Sequence, residues 1–296
     1  VNMAHLGARA FEEIGGEVVQ TTAFVLSKRN IADFEATYVR LVDYNSQDTK
    51  EEAFLSGSDR YTAKKENFEK IPGCPVAYTL GFGLLKIIGK STISAVTETR
   101  CGMNTGNNNE FLRLWFEVNS LELNTGCDST ELFHQTGAKY AAYNKGGEYR
   151  KWYGNNYYII RFDRRYYDIL SQQGNKLPSR QFYFLPAITW TDLSVHGVAF
   201  RYQAPGSVFD GAAAVAFAKP DEIMFLLGYL NSSLVDFLAK VFNPTLHFKL
   251  NDFNKLPYVN QSTEQVTILV EQNLSLSRAD WDAFETSWDF KRHPLI

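Results

Sequence analysis

The chain has 296 residues, 45% of them apolar and 21% charged, with a net charge of −3 and a pI near 6.0. That balance describes an ordinary soluble globular protein with one large domain or two ordinary ones. It excludes a globally basic nucleic-acid binder, so any such role needs a local basic patch. The 16 Tyr and 22 Phe favour sheet-rich packing, with rings left over for a surface. Cys74, Cys101 and Cys127 are odd in number and form no CxxC pair, which argues against a disulfide framework or zinc site and fits a reducing cytoplasm.

In chain order, residues 4–16 (AHLGARAFEEIGG) read as a short helix closed by Gly15–Gly16. EVVQTTAFVLSK and FEATYVRLVDY are β-rich runs around a turn-like RNIAD, which predicts a hairpin. SQDTKEEAFLSG reads as a charged helix ending at Gly57, followed by a polar stretch and the two prolines of IPGCPVAY. A domain border is expected near residue 70. The most apolar run, YTLGFGLLKIIG, is too short for a membrane span and is broken by Gly and Lys86.

From 71 to about 260 the pattern is short strands with long Gly/Asn-rich loops: EFLRLWFEV, YYIIRF, QFYFLPAITW, VAFRYQ and SVFDGAAAVAF. One helix is expected over PDEIMFLLGYLNSSLVDFLAKVF, opened by Pro220–Asp221 and stopped at NPT. FNPTLHFKLNDF reads as that stop followed by a strand, with His247 packed rather than ligating. The tail from 262 predicts two amphipathic helices opened by Ser262 and Ser277, with Gln265 and Asp280 three residues on. The abrupt ends suggest a chain cut from a longer one. The fold class expected is α+β.

Three stretches carry chemistry. GMNTGNNNEF offers backbone N–H groups and Asn amides that clamp phosphates or pair with adenine edges, although the same composition also marks a surface turn. Residues 139–165 hold seven cations (Lys139, Lys145, Arg150, Lys151, Arg161, Arg164, Arg165) against Glu148 and Asp163, a net +5 interleaved with Tyr and Trp. Such a run suits phosphate gripping and ring stacking, or else a solvated strand pair with inward Tyr. AITWTDLSVHGVAFRY places Thr189, Trp190, Thr191, Asp192, Ser194 and His196 in a loop between strands. No nucleophile elbow accompanies Asp192, Ser194 and His196, so a hydrolase site is not expected.

Read together, GARAFEEIGGEVVQTTAFVL, NTGNNNEFLRLWFEV, YNKGGEYRKWYGN, ITWTDLS, SVFDGAAAVAF, LLGYLNSSLVDFLAKVFNPTLHFKLNDFNKLP and DWDAFETSWDFKRHPL resemble the C-terminal half of PglX-type adenine-specific DNA methyltransferases of BREX phage-defence systems. The resemblance runs through nearly the whole chain in one order. It implies that the Gly-rich S-adenosylmethionine loop and the Asn-Pro-Pro-Tyr motif lie upstream, since the only Asn-Pro here, at 243, is followed by Thr245. Residues 1–70 would be a helix-plus-hairpin remnant of a Rossmann-like methyltransferase domain, 71–260 a mixed-sheet, TaqI-like target recognition domain, and 261–296 a helical tail. The fragment would hold no catalytic residue, cofactor or metal; the full-length enzyme would use S-adenosylmethionine. Double-stranded DNA would be its partner, through Arg100, Thr105, Asn107, Asn108, Tyr143, Lys145, Arg150, Lys151, Trp152, Thr189 and Arg201. The alternative is a protein-interaction module for other phage-defence subunits. Its motive is the acidic tail, where Glu264, Glu271, Asp280, Asp282, Glu285 and Asp289 face only Arg278 and flank Trp281, Phe284, Trp288 and Phe290.

Overall fold

A computed structural model describes residues 2–13, 19–29, 31–88, 90–243, 245–259 and 264–296. The chain divides into two compact units, Val1–Lys90 and Ser91–Ile296, a division that falls beyond the border expected near residue 70. Strands and helices are mixed in both, compatible with the α+β class.

The first unit is built on a four-stranded sheet. Strands β1 (Asn2–Gly7), β2 (Thr21–Val25), β3 (Glu35–Arg40) and β4 (Arg60–Lys64) lie in the order β2-β1-β3-β4. β1 overturns the helix expected over 4–16; Gly15–Gly16 fall outside the described residues. Its helix formers are overridden because flanking strands take up its backbone groups, β2 antiparallel and β3 parallel. For the same reason β2 and β3 are strands but not a hairpin, since β1 lies between them. Helix α1 (Gln47–Ser56) forms as expected. Ser46 and Thr49 make a capping box, and Gly57 closes the helix in the left-handed region at φ 80°. The polar stretch after it holds β4 and α2 (Lys65–Glu69), and α3 (Phe82–Leu85) follows. Tyr38 and Tyr78 stack at 5.0 Å over Phe68 and Ala36, a buried cluster under one face of the sheet.

In the second unit, β5 (Thr97–Arg100), β10 (Ala187–Thr191), β11 (Arg201–Gln203) and β13 (Ala213–Ala218) form an antiparallel sheet ordered β11-β10-β13-β5. The other sheet is ordered β12-β8-β9-β6, from β6 (Leu112–Leu114), β8 (Tyr140–Asn144), β9 (Tyr158–Arg161) and β12 (Ser207–Phe209). β7 (Leu123–Asn124) also pairs with β8. A large aromatic core joins these strands, with Phe111, Phe133, Phe162, Phe184 and Phe209 fully enclosed. Each such ring contributes on the order of 1.5–3 kcal/mol through burial. Helices α4 (Asn108–Phe111), α5 (Thr130–Thr136) and α6 (Arg164–Leu170) connect the strands. The strand expected over 110–118 shrinks to β6, because Glu110 and Phe111 complete α4 and Trp115–Glu117 turn into a 3-10 helix.

The helix expected over 220–242 is two, α7 (Ile223–Leu230) and α8 (Ser233–Phe242), bent by 67°. The buried Asn231 amide causes the break. It donates to the Phe200 carbonyl (2.9 Å) and accepts from the Phe200 N–H (3.1 Å), while Ser232 caps α8. Residues 250–254 are helix α9 (Leu250–Asn254), not the expected strand; His247 forms an isolated bridge to Leu193 and is exposed rather than packed. Conversely Thr189, Trp190 and Thr191 lie in β10 rather than a loop. Trp190 stacks on Phe253 at 4.5 Å and donates its indole N–H to the Phe248 carbonyl (2.8 Å). The tail is one helix, α10 (Glu264–Asp282), rather than two. Ser277 lies inside it and donates to the Lys151 carbonyl (3.3 Å) instead of capping, and Ser262 falls outside the described residues. Among the described residues no single helix is long and apolar enough to cross a membrane; α7 and α8 together pass on length and composition but are bent and largely enclosed.

Candidate nucleic-acid interface

β8 and β12 run parallel, from Ala142–Ser207 to Asn144–Phe209, and Met103 makes a parallel bridge to Asp210. Parallel neighbours end at the same edge. The segments that follow Met103, Asn144 and Asp210 therefore leave the second unit along one rim. Backbone bonds weld them there: Met103 N–H to Phe209 carbonyl (2.9 Å), Asp210 N–H to Asn144 carbonyl (2.8 Å), Gly211 N–H to Met103 carbonyl (2.8 Å). Gly102 permits the approach, because a Cβ there would sit 2.2 Å from the Phe209 carbonyl oxygen.

The Asn-rich loop emerges at this rim. The Asn104 N–H donates to the Asn175 side chain (2.7 Å), whose amide donates in turn to the Gly102 carbonyl (2.8 Å). Thr105 is enclosed and donates to the Asn108 side-chain oxygen (2.6 Å), and Asn108 itself is exposed. Asn107 and Asn109 are exposed beside it, Asn107 touching Glu110 at 3.3 Å. Arg100, at the end of β5, stacks over the Phe182 ring at 4.6 Å and pairs with Glu98.

The +5 run does not form one patch. β8 and β9 run in opposite directions, so Lys145, Arg150 and Lys151 lie at one end of the pair and Lys139, Arg161, Arg164 and Arg165 at the other. At about 3.3 Å per residue the strands keep the two groups apart. Several cations are already engaged: Lys139 with Glu122 (2.5 Å) and Arg161 with Asp163 (3.3 Å). At the rim, Arg150 pairs with Asp280 (3.0 Å) and lies over Trp281 (5.1 Å), and Lys151 donates to the Asn231 carbonyl (2.9 Å). Trp152, in the left-handed region at φ 72°, bonds through its backbone to Phe200 and Tyr202. Residues 145–157 thus form a strap laid on the sheet and fastened by the tail. Lys145, over the Tyr158 ring at 5.4 Å, keeps its charge half-exposed, and Tyr149 is an exposed ring near the tip. Tyr149 and Asn104 lie in the two stretches singled out from the sequence but not among the residues named as contacts; the parallel pairings place both at the rim.

Thr105, Tyr143, Thr189 and Arg201 are 3% exposed or less, so the fold encloses these four side chains rather than presenting them at the surface, contrary to their expected exposure as contacts. The Tyr143 hydroxyl donates to Asp210 (2.7 Å), and burial, with Asp210 beside it, pushes its pKa far up. Asn144 donates to both Thr189 (2.8 Å) and Gln203 (2.7 Å), linking the two sheets behind the rim. The Arg201 guanidinium lies near the Arg150 carbonyl (3.4 Å) and the Thr191 hydroxyl (3.3 Å). Burial, and then Arg150, lower its pKa to about 10. Asp192 lies 3.3 Å from His247 rather than His196, and Ser194 accepts from the His196 backbone, so the three residues make no relay. The described residues contain no cluster of three or more metal-ligating side chains.

Over its whole length the chain is a relative of adenine-specific methyltransferases. It is 38% identical over 313 aligned residues to the adenine-specific methyltransferase PglX of Lacticaseibacillus casei (strain Zhang), and 34% identical over 304 to the adenine-specific methyltransferase BrxX of Escherichia coli O9:H4 (strain HS). Each match takes in all of this chain but 26% and 24% of the relative, so the chain spans about a quarter of the length of the curated relatives it matches. No protein-family model matches it.

Proposed function

We propose that this chain is the DNA-recognition portion of a site-specific adenine-N6 methyltransferase of a BREX-type phage-defence system. The observation that carries the reading is the rim. Within a chain related end to end to adenine-specific methyltransferases, loops bearing Asn104, Asn107, Asn108, Lys145 and Tyr149 leave one edge of a rigid pair of sheets. An enzyme that methylates a base inside a duplex must extrude it, so a second body has to hold the surrounding DNA and read its sequence. Asn amides pair with adenine edges in the major groove, and cations and backbone N–H groups hold phosphates and set register. In this reading 71–260 is the recognition body, 261–296 its tail, and 1–70 completes a methyltransferase domain. S-adenosylmethionine and the chemistry belong to the remainder of the longer enzyme, acting on cytoplasmic DNA.

Fluorescence anisotropy on a duplex, from about 50 to 200 mM salt, tests the proposal. Expected is salt-dependent binding, with Lys145→Ala weakening all sequences and lowering the log–log salt slope by about 1. Asn107→Ala and Asn108→Ala should instead change sequence preference. Absence of binding at low salt, or binding indifferent to salt, refutes the reading.

A further inference from the structure

Behind the strap, the second unit contains a cleft of about 170 Å³ lined by Asn144, Thr189, Gln203, Tyr202, Trp288 and Arg278, among others. It is too small for a drug-sized ligand. A cavity of roughly 150 Å³ takes a benzene ring, so this one has room for a single compact heterocycle. Two kinds of side chain line it. The first is the amide–hydroxyl trio, locked by the Asn144 bonds to Thr189 and Gln203, with Thr189 bonded onward to the Ala214 carbonyl (3.1 Å). Its orientation is therefore set before any ligand arrives. The second is a set of groups with unused bonding capacity. The Gln203 amide nitrogen makes only a 3.5 Å bond to the Leu185 carbonyl. Among the described residues, the Ser207 hydroxyl and the Trp288 indole N–H have no hydrogen-bond partner.

Charge narrows the ligand class. Arg278 stands 3.6 Å from both Asp282 and Asp289, so one cation faces two carboxylates. A phosphate or carboxylate meets net negative charge there. A lipid meets amides and hydroxyls that it cannot satisfy. A neutral planar ring with donors and acceptors on its edge satisfies both conditions, with Trp288 available to its face or edge.

We propose that this cleft is a nucleobase-binding site. The inference rests on the DNA-recognition reading only for the source of the base: an extrahelical base of the duplex or a free nucleoside presents the same chemistry. Calorimetric titration of the 296-residue protein with deoxyadenosine, deoxycytidine, deoxyguanosine and thymidine tests it, with deoxyribose 5-phosphate as the baseless control. Expected is saturable binding of at least one nucleoside, with a Kd on the order of a millimolar, and none of the control. Ser207→Ala should raise that Kd about fivefold, and Trp288→Ala at least tenfold through lost ring contact. Unchanged thermal melting of both variants shows that the fold is intact.

A second measurement follows duplexes carrying 2-aminopurine at successive positions. A fluorescence change on binding that is lost in Trp288→Ala identifies an extrahelical base as the occupant. Nucleoside binding without that change identifies a free nucleoside. If no nucleoside binds while duplex DNA does, the cleft assignment is overturned and DNA recognition stands. If nucleosides bind and the duplex does not, the cleft stands and the recognition reading fails.

Discussion

Arg150 and Asp280 lie 130 positions apart in the chain, yet a guanidinium nitrogen of one is 3.0 Å from a carboxylate oxygen of the other. The pair joins the strap to α10, and it holds one of the cations best placed at the rim. Both partners are partly exposed, so the pair itself stabilises the fold by well under about 1 kcal/mol. Asp280→Asn should therefore leave melting almost unchanged. It frees the Arg150 charge and should tighten duplex binding a few-fold at low salt, an advantage that disappears as salt rises. Anisotropy with the variant showing the parent affinity at every salt concentration removes Arg150 from the interface.

His5 supplies a pH dependence in the first unit. Its Nδ1 is 2.9 Å from the Tyr78 hydroxyl, and burial, then the Arg40 charge, hold its pKa below the ordinary 6.5. With the folded value depressed, the unfolded chain binds the proton first as pH falls. The contribution of His5 is thus complete above about 6.5 and is lost as pH falls from there through the lowered folded value. Thermal melts of the parent should show a loss in this window. His5→Gln should flatten it, and an unchanged pH profile contradicts the assignment.

Gly174 sits under the Asn-rich loop at φ 53°, and a Cβ there would fall 1.8 Å from the Asn104 carbonyl oxygen. Gly174→Ala should cost on the order of 1–3 kcal/mol and shift the loop that carries Asn107 and Asn108. Gly137 offers the comparison: at φ 75° its Cβ would meet nothing within 4 Å. Gly137→Ala should cost only about 1 kcal/mol of left-handed strain and leave DNA sequence preference untouched. Chemical denaturation and a binding-site selection measure the two effects.

The bend between α7 and α8 depends on Asn231 more than on helix propensity. Asn231→Leu leaves the Phe200 N–H and carbonyl without their side-chain partners, at roughly 2–4 kcal/mol. Ser232→Ala removes only a cap, at about 1 kcal/mol. Equal losses from the two substitutions in urea unfolding contradict this account.

Much of this was legible in the sequence where local chemistry decides. The Ser46 cap and Gly57 stop delimit α1 without help from elsewhere, and YYIIRF becomes β9. Misreadings came where distant partners decide. β1 carries helix formers but lies between two strands. Ser277 has the spacing of a cap but bonds to Lys151 across the fold, and Asn231 breaks a helix by reaching Phe200. The cation run looked like one patch because adjacency along the chain hides that antiparallel strands send their ends apart. The burial of Tyr143 and Thr189 was hidden because β8 and β10 are covered on both faces, which alternation along one strand does not reveal.

The fastening of the strap has a consequence for biosynthesis. Residues 145–157 leave the ribosome long before 277–288, whose side chains and carbonyls hold them and their surroundings: Ser277 on Lys151, Asp280 on Arg150, and the Thr286 carbonyl on the Trp115 indole. At about 5–20 residues per second the strap waits several seconds without its anchor. Translation thus sets the order of assembly, with the rim last to reach its final shape, and a ribosome that terminates early releases a body whose sheets are complete and whose grip is loose.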